Sequence, residues 1–387
     1  MNRIHTFVLS LYFFSIHFEL WDPLNTGIDY LNTKITISLY IMISLIRFSG
    51  FKSIREYNKF TIPLILLFVI GNVSGYFNQH PGYEDYFVLT EFLNILIFIL
   101  MLLHHKKDNH AIIKGLNGFI YGAIVLLIFF LLDIGTDNSL DGRYTMFGTN
   151  QNQLSVDIAV VSLLILSKLI YKKDISNSLK LFFLIILPFL VLFLVSTGSR
   201  TGVISFFIGC SLMIFLKKSN FFYAKISKLI LGILTSSLLY KYFMSDSIFG
   251  ERLTDSIENF DLSGRDIYWD MILNFFDFNL IFGIGINGYK YQSDLIFGTF
   301  VSTHNIFIQN LITGGIVSVI ILIFYFFMIT KKSFIIYKNS SNPLFLILLV
   351  PIIFLALTGQ VFGSKITFGI FALIIIHSIQ FKKIDNL

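Results

Sequence analysis

A single cysteine and very little charge characterise this 387-residue chain. Cys210 stands alone in an apolar stretch, which excludes an intramolecular disulfide or a cysteine-based metal site and leads us to expect a buried, inert thiol. Asp, Glu, Lys and Arg together make up 13% of the residues, about half of what a soluble globular chain carries. The scarcity is concentrated in runs: Leu181 to Ser199, Thr201 to Leu216, Asn305 to Thr330 and Asn342 to Ser364 contain no charged residue. Uncharged apolar runs of this length are membrane-spanning helices. What fills them is aliphatic and aromatic, with 55% hydrophobic residues including 45 Phe and 18 Tyr. A soluble enzyme, a disordered chain and a secreted disulfide scaffold are thereby excluded.

The hydrophobic pattern predicts an all-α polytopic membrane protein with about twelve spans, near 4–20, 35–48, 60–77, 86–103, 116–132, 154–170, 181–197, 201–216, 226–244, 304–330, 343–358 and 363–381. As one helix, the stretch from Asn342 to Phe381 would be roughly 60 Å long, twice a bilayer core. It must turn back, and Gly359 to Gly363 is the expected place. Met1-Asn2-Arg3 ahead of an apolar stretch resembles a secretory signal, but no small-residue cleavage site follows, so the first helix is expected to be retained. On this layout the side holding both termini carries 21 Lys/Arg and 4 Asp/Glu, against 8 and 19 on the opposite side. Basic residues stay cytoplasmic, so both termini are predicted inside. The net charge of +6 is then topological sorting together with attraction to anionic membrane lipid, and no nucleic-acid partner is needed to explain it.

The whole chain, 1–387, reads as one integral membrane domain without an internal repeat, and most connections are short. The exception is 245–303, a long, mainly acidic outer loop. In it Ser263-Gly264-Arg265-Asp266 resembles a helix N-cap with an early acid. Ile267, Tyr268, Met271, Ile272, Phe275 and Phe276 then share one helical face, predicting an amphipathic helix on the membrane surface. Gly283-Ile-Gly285-Ile-Asn-Gly288 spells the GxGxxG fingerprint, but the strand before it, the helix after it and a cytosolic nicotinamide pool are all expected to be missing. These glycines are read as turn residues. His104-His105-Lys106-Lys107 is read as an ordinary cytoplasmic basic loop.

The chemistry-bearing residues gather at one surface. Ser196-Thr-Gly-Ser-Arg200-Thr-Gly202 and Ser302-Thr303-His304-Asn305 each precede a span running inward. Such helix N-termini offer unpaired N–H groups and about half a positive charge. With Arg200, Arg265 and the short-loop Arg143 nearby, they form a site for a polyanion at the membrane surface. Each residue also has a plainer role available. Arg200 can snorkel, His304 can bond a neighbouring carbonyl, Arg265 can pair with Asp266 or Asp270, and Arg143 can simply be solvated. Glu91 and Asp157, near the outer ends of their spans, are functional candidates by depth and equally candidates for headgroup solvation.

These residues carry a resemblance. Thr303-His304-Asn305-Ile-Phe-Ile-Gln309-Asn-Leu-Ile-Thr-Gly314-Gly315 resembles the histidine block of the bacterial O-antigen ligase and polymerase superfamily. Ser-Thr-Gly-Ser-Arg200-Thr-Gly is similar to its arginine block, Ser263-Gly264-Arg265 with Trp269 and Phe282-Gly283-Ile-Gly285 to its outer-loop block, and Phe147-Gly148-Thr149-Asn150-Gln151-Asn152 to its Gly-Thr-Asn block. The blocks keep the family order from about 140 to 320. Ser318 stands where a glycine is usual and Thr313 where an acidic residue is frequent.

The resemblance implies a lipid-sugar glycosyltransferase (GT-C-like) membrane fold in the bacterial plasma membrane, with an extracytoplasmic active site. It implies an undecaprenyl-diphosphate-linked glycan donor, a glycan or lipid-linked acceptor, and no metal or other cofactor. Chain-length regulator and flippase proteins are the implied partners. Its catalytic set would be His304, Arg200 and Arg265, with Arg143, Asn150, Asn152, Asn305 and Glu91 binding substrate. Polymerisation of repeat units into O-antigen, capsule or exopolysaccharide is the favoured activity, by analogy alone, over ligation to another acceptor. A flippase or secondary transporter is the competing class, and it is expected to show related halves and midplane polar sites, which this chain lacks.

Overall fold

The structure is a computed structural model that describes residues 2–23, 27, 31–46, 57–78, 87–105, 109–138, 142–171, 175–216, 250, 254, 265–276, 279–359 and 361–384. Among them the elements run α1 (Asn2–Ser15), α2 (Leu31–Ile46), α3 (Asn58–Phe77), α4 (Phe87–His105), α5 (Asn109–Leu131), β1 (Thr136–Asn138), β2 (Tyr144–Met146), α6 (Gln151–Tyr171), α7 (Asn177–Ser196) and α8 (Arg200–Leu216). They continue with α9 (Arg265–Phe275), α10 (Gly285–Phe297), α11 (Ile306–Ser340), α12 (Leu344–Thr358) and α13 (Lys365–Ile384). Five helices, α3, residues Ala111–Leu131 of α5, α6, α7 and α11, are long and apolar enough to cross a membrane. Every expected span has a helix at its position except the ninth, 226–244, which lies outside the described residues. The architecture is that of an all-α membrane protein.

The bundle closes through small residues. On α5, Gly115, Gly118 and Gly122 let α1 approach: a Cβ at Gly118 would come within 2.1 Å of the Ser10 carbonyl oxygen, and one at Gly122 within 2.7 Å of that of Phe14. Stripes of this kind bring helix backbones together where no hydrophobic effect separates helix from lipid. Gly202 on α8 opposes Ser155 on α6 in the same way. α6 is the interior helix, 72% of its apolar window being buried, against 28% for α7, which presents Leu181, Leu184 and Ile185 outward.

Several expectations need correction. The loop between α5 and α6 contains a small antiparallel hairpin, with Thr136 opposite Met146 and Asn138 opposite Tyr144. His104 and His105 close helix α4 rather than forming a basic loop. The Tyr40 hydroxyl meets His105 Nε2 at 3.2 Å, and the His5 ring lies 4.8 Å from that of His105. Asp157 is not solvated: it is 6% exposed and accepts from Gln153 Nε2 at 2.9 Å, while the neighbouring Lys365 pairs with Glu19 at 2.7 Å. A charge at that depth requires partners, because an unpaired one costs several kcal/mol. The reversal between the last two helices falls between Thr358 and Lys365, where it was expected.

Among its described residues the long loop 245–303 holds a second helix, α10, besides the expected one. α9 does form, but its buried stripe is Ile272 and Phe276, while Ile267 and Tyr268 are exposed at 63% and 41%. Ile272 and Phe276 pack with Ile284 and Tyr289 around α10, and this contact, not the shared face alone, selects what is buried. The proposed N-cap at Ser263 and Gly264 lies outside the described residues. A helix, α10, does follow the GxGxxG stretch, contrary to the sequence reading, and it starts at Gly285. The glycines serve close approach: with φ +71 at Gly285, a Cβ there would fall 2.1 Å from the Gly75 nitrogen on α3.

Candidate functional site

α11 is broken at its third turn. Gly315 has φ 67 and ψ −171 inside the helix, a conformation open to glycine and strained for other residues. The backbone groups released by the break are met by the segment that joins α9 to α10. Ile316 N donates to the Leu280 carbonyl at 2.9 Å, and Ile284 N donates to the Ile312 carbonyl at 2.8 Å. The segment between α9 and α10 is therefore stitched into the membrane helix, and the Ser74 hydroxyl anchors it from α3 by donating to the Phe282 carbonyl at 2.5 Å. Non-helical backbone at membrane depth persists only where such partners exist. This stitching sets the position of the first turns of α11, and of His304 just before them.

His304 has φ 49, left-handed for a non-glycine residue. Such strain is kept by surrounding structure and recurs at functional positions. Here Trp269 Nε1 on α9 donates to the Thr303 carbonyl at 2.7 Å, and His304 N donates to the Ser302 hydroxyl at 3.4 Å. Asn305 caps α11, its Oδ1 accepting from Phe307 N at 2.9 Å and Ile308 N at 3.3 Å. This corrects the expectation of unpaired N–H groups at that helix end. Any anion there is met mainly by side-chain cations.

Those cations converge. Burial first, then the charges of Arg200 and Arg143, lower the pKa of Arg265. A guanidinium stays charged at any working pH nonetheless. Burial first, then the cation of Arg265, lowers the pKa of His304 below its ordinary value. That direction favours the neutral ring. Arg143 reaches the group because Gly198 has no side chain: at φ +62, a Cβ there would sit 2.6 Å from Arg143 Cγ.

The block residues hold one another in place. The Ser199 hydroxyl donates to Asn152 Oδ1 at 2.8 Å, fixing the residue before Arg200 against the start of α6. Asn150 caps α6 by accepting from Asn152 N at 2.9 Å and Gln153 N at 3.3 Å. Asn150, Asn152 and Asn305 thus have positioning contacts with the backbone and with Ser199. Glu91 lies elsewhere, on a cleft lined by α3, α4 and α11 that none of the three arginines and not His304 touches. Sequence reasoning missed that cleft and the loop that fills the helix break. The adjacent Gly314 and Gly315 in an apolar run were the available signal.

The comparison with known families falls on the same blocks. Residues 183–323 match the family described as O-Antigen ligase. The resemblance to the O-antigen ligase and polymerase superfamily is thereby supported over a stretch holding Arg200, Arg265 and His304, and with it a ligase- or polymerase-type role for a multi-pass membrane protein. No curated protein matches the chain.

Proposed function

We propose that the protein is a membrane glycosyltransferase that polymerises undecaprenyl-diphosphate-linked repeat units on the outer face of the plasma membrane. The observation that carries this reading is that Arg265 stands near enough to Arg200, Arg143 and His304 for their charges to act on one another, while burial and Arg265 lower the proton affinity of His304. A partly buried site with several like charges favours a ligand of opposite charge. A diphosphate is that ligand, and it gains charge as the glycosidic bond breaks, so the arginines stabilise the transition state more than the ground state.

The step is a direct displacement. The acceptor hydroxyl oxygen bonds to the anomeric carbon from the face opposite the diphosphate, its proton passes to neutral His304, and the bond to the diphosphate oxygen breaks with its electron pair leaving on phosphate. The product is inverted at that carbon. Arg143 supports the leaving group, while Asn150, Asn152 and Asn305 hold the residues that carry the charge.

Reconstitution tests the reading. Purified protein given only lipid-linked repeats is expected to yield a ladder of lipid-linked oligomers. The ligase, named by the matched family, would instead leave such repeats unextended and pass the glycan to a different acceptor. Sidedness is read in a Cys210→Ser background. Leu295→Cys, exposed on α10, is expected to label with an impermeant thiol reagent in intact spheroplasts, and Asn339→Cys, exposed at the far end of α11, only after lysis. The reverse pattern would put the arginines on the cytoplasmic side and end the proposal.

A further inference from the structure

Beside the first turns of α11 lies a cleft walled by α3, α4, α10, α11 and α13. Its polar lining is Asn72, Glu91, Gln309, Asn310 and Thr313. Three of these groups donate back onto their own helices. Asn72 Nδ2 donates to the Phe68 carbonyl at 2.7 Å, Asn310 Nδ2 to the Ile306 carbonyl at 2.8 Å, and the Thr313 hydroxyl to the Gln309 carbonyl at 2.8 Å. In each case a carbonyl one helical turn back takes a side-chain donor, which fixes the orientation of both asparagine amides and leaves their oxygens as acceptors. Glu91 adds a carboxylate, an acceptor when ionised. Gln309 Oε1 is buried and accepts no hydrogen bond among the described residues. A buried acceptor of this kind calls for a donor from outside the protein.

We infer that this cleft is the acceptor subsite and takes the hydroxyl-rich, non-anionic sugar end of the receiving glycan. This rests on the transferase reading and names the chemistry of its second substrate. Sugar hydroxyls donate to Gln309 Oε1, to the amide oxygens of Asn72 and Asn310, and to Glu91, while the C–H faces of the ring lie against Phe300 and Phe362. The Glu91 charge disfavours a diphosphate or an acidic sugar here, so the two substrates sort by charge between the arginine centre and the cleft. Ile306, two residues after His304, lines the cleft, so the cleft and the base share the start of α11.

The test uses full-length protein in cells that make their own lipid-linked glycans, with p-benzoylphenylalanine replacing Phe300 or, deeper in the cleft, Leu67. After irradiation, mass spectrometry of the adducts is expected to give sugar-containing species from Phe300. An isoprenoid adduct from either position would show a lipid chain in the cleft and overturn the assignment. The second arm supplies, as soluble acceptor, glycan freed from its lipid by mild acid. Glu91→Gln and Gln309→Leu are each expected to raise its KM about tenfold, as loss of one hydrogen bond predicts, with kcat held within about twofold. An unchanged KM in both variants overturns the assignment. Cross-linking requires no turnover, so a sugar adduct in a protein that transfers nothing removes the transferase reading and leaves the subsite standing, whereas transfer with an isoprenoid adduct does the reverse.

Discussion

The arginine centre and the α11 cleft lie within a few residues of each other in sequence at His304 and Ile306, yet they have opposite character. One gathers cations: Arg265 feels Arg200 and Arg143, and His304 feels Arg265. The other is lined by side-chain amides, a hydroxyl and a carboxylate, with Asn72 and Asn310 each donating back onto its own helix. On the proposed reading, the contrast sorts the two substrates by charge and by hydrogen-bond character. A low-dielectric surface site amplifies both distinctions.

The comparison is broken most severely at His304. His304→Ala is expected to lower kcat by about 10²–10⁴-fold, the usual contribution of a general base, while binding of a polyprenyl diphosphate in detergent stays near wild type. Ordinary turnover in this variant would remove the base. Next in size, Arg200→Lys should lose nearly as much activity as Arg200→Ala, roughly 10²-fold or more, because a point charge does not reproduce a bidentate fork on phosphate. If lysine rescued the rate, Arg200 would be contributing charge alone.

Gly198→Ala sharpens the same centre without touching a charge. The new methyl group would fall 2.6 Å from Arg143 Cγ and push that stem aside, and it would strain a residue at φ +62. About a tenfold loss of rate is expected, with a melting temperature that falls by only a few degrees, a cost of roughly 1 kcal/mol. By contrast Gly315→Ala places a Cβ 2.0 Å from the Ile281 carbonyl oxygen at φ +67. It should cost a few kcal/mol of stability, read as early thermal unfolding, by expelling the loop from the helix break.

The smallest effect is on pH dependence. His304 has a lowered pKa, so kcat/KM should hold as pH falls to the ordinary histidine value of about 6.5 and drop only below it, as the ring takes a proton and ceases to accept one. Arg265→Gln removes the second cause of that lowering and leaves burial in place. The acid limb should therefore move part of the way up toward the ordinary value in whatever activity remains. A limb that stays put would show that Arg265 acts on the donor alone.

Much of the fold was legible because lipid imposes a simple rule. A segment that crosses must be apolar and must satisfy its own backbone, so uncharged runs such as 181–199 and 342–364 marked α7 and the α12–α13 pair directly. The site was legible as a set of blocks, because Gly, Ser, Thr, Asn and Arg at helix starts are chemically conspicuous in an apolar chain. The face of α9 was not, since a stripe from Ile267 to Phe276 fits several rotations and only contact with Ile284 and Tyr289 selects one. Nor was the burial of Asp157, which depends on the nearby start of α13.

Local composition, acting through the cost of exposing backbone and charge to lipid, determined that this chain is helical and membrane-embedded, with its conspicuous polar blocks at helix starts. Tertiary structure decided what those polar residues are. The hydrogen bonds from Ser199 to Asn152, from Trp269 to Thr303 and from Ser74 to Phe282 close separations of 47, 34 and 208 residues. Such pairings depend on which helices pack together, and packing among helices of similar apolarity is chosen by small residues and fitted side chains spread over the whole bundle. The cleft and its acceptor-lined wall arise the same way, from α3, α4 and α11 meeting at a helix break whose partner lies in the outer loop.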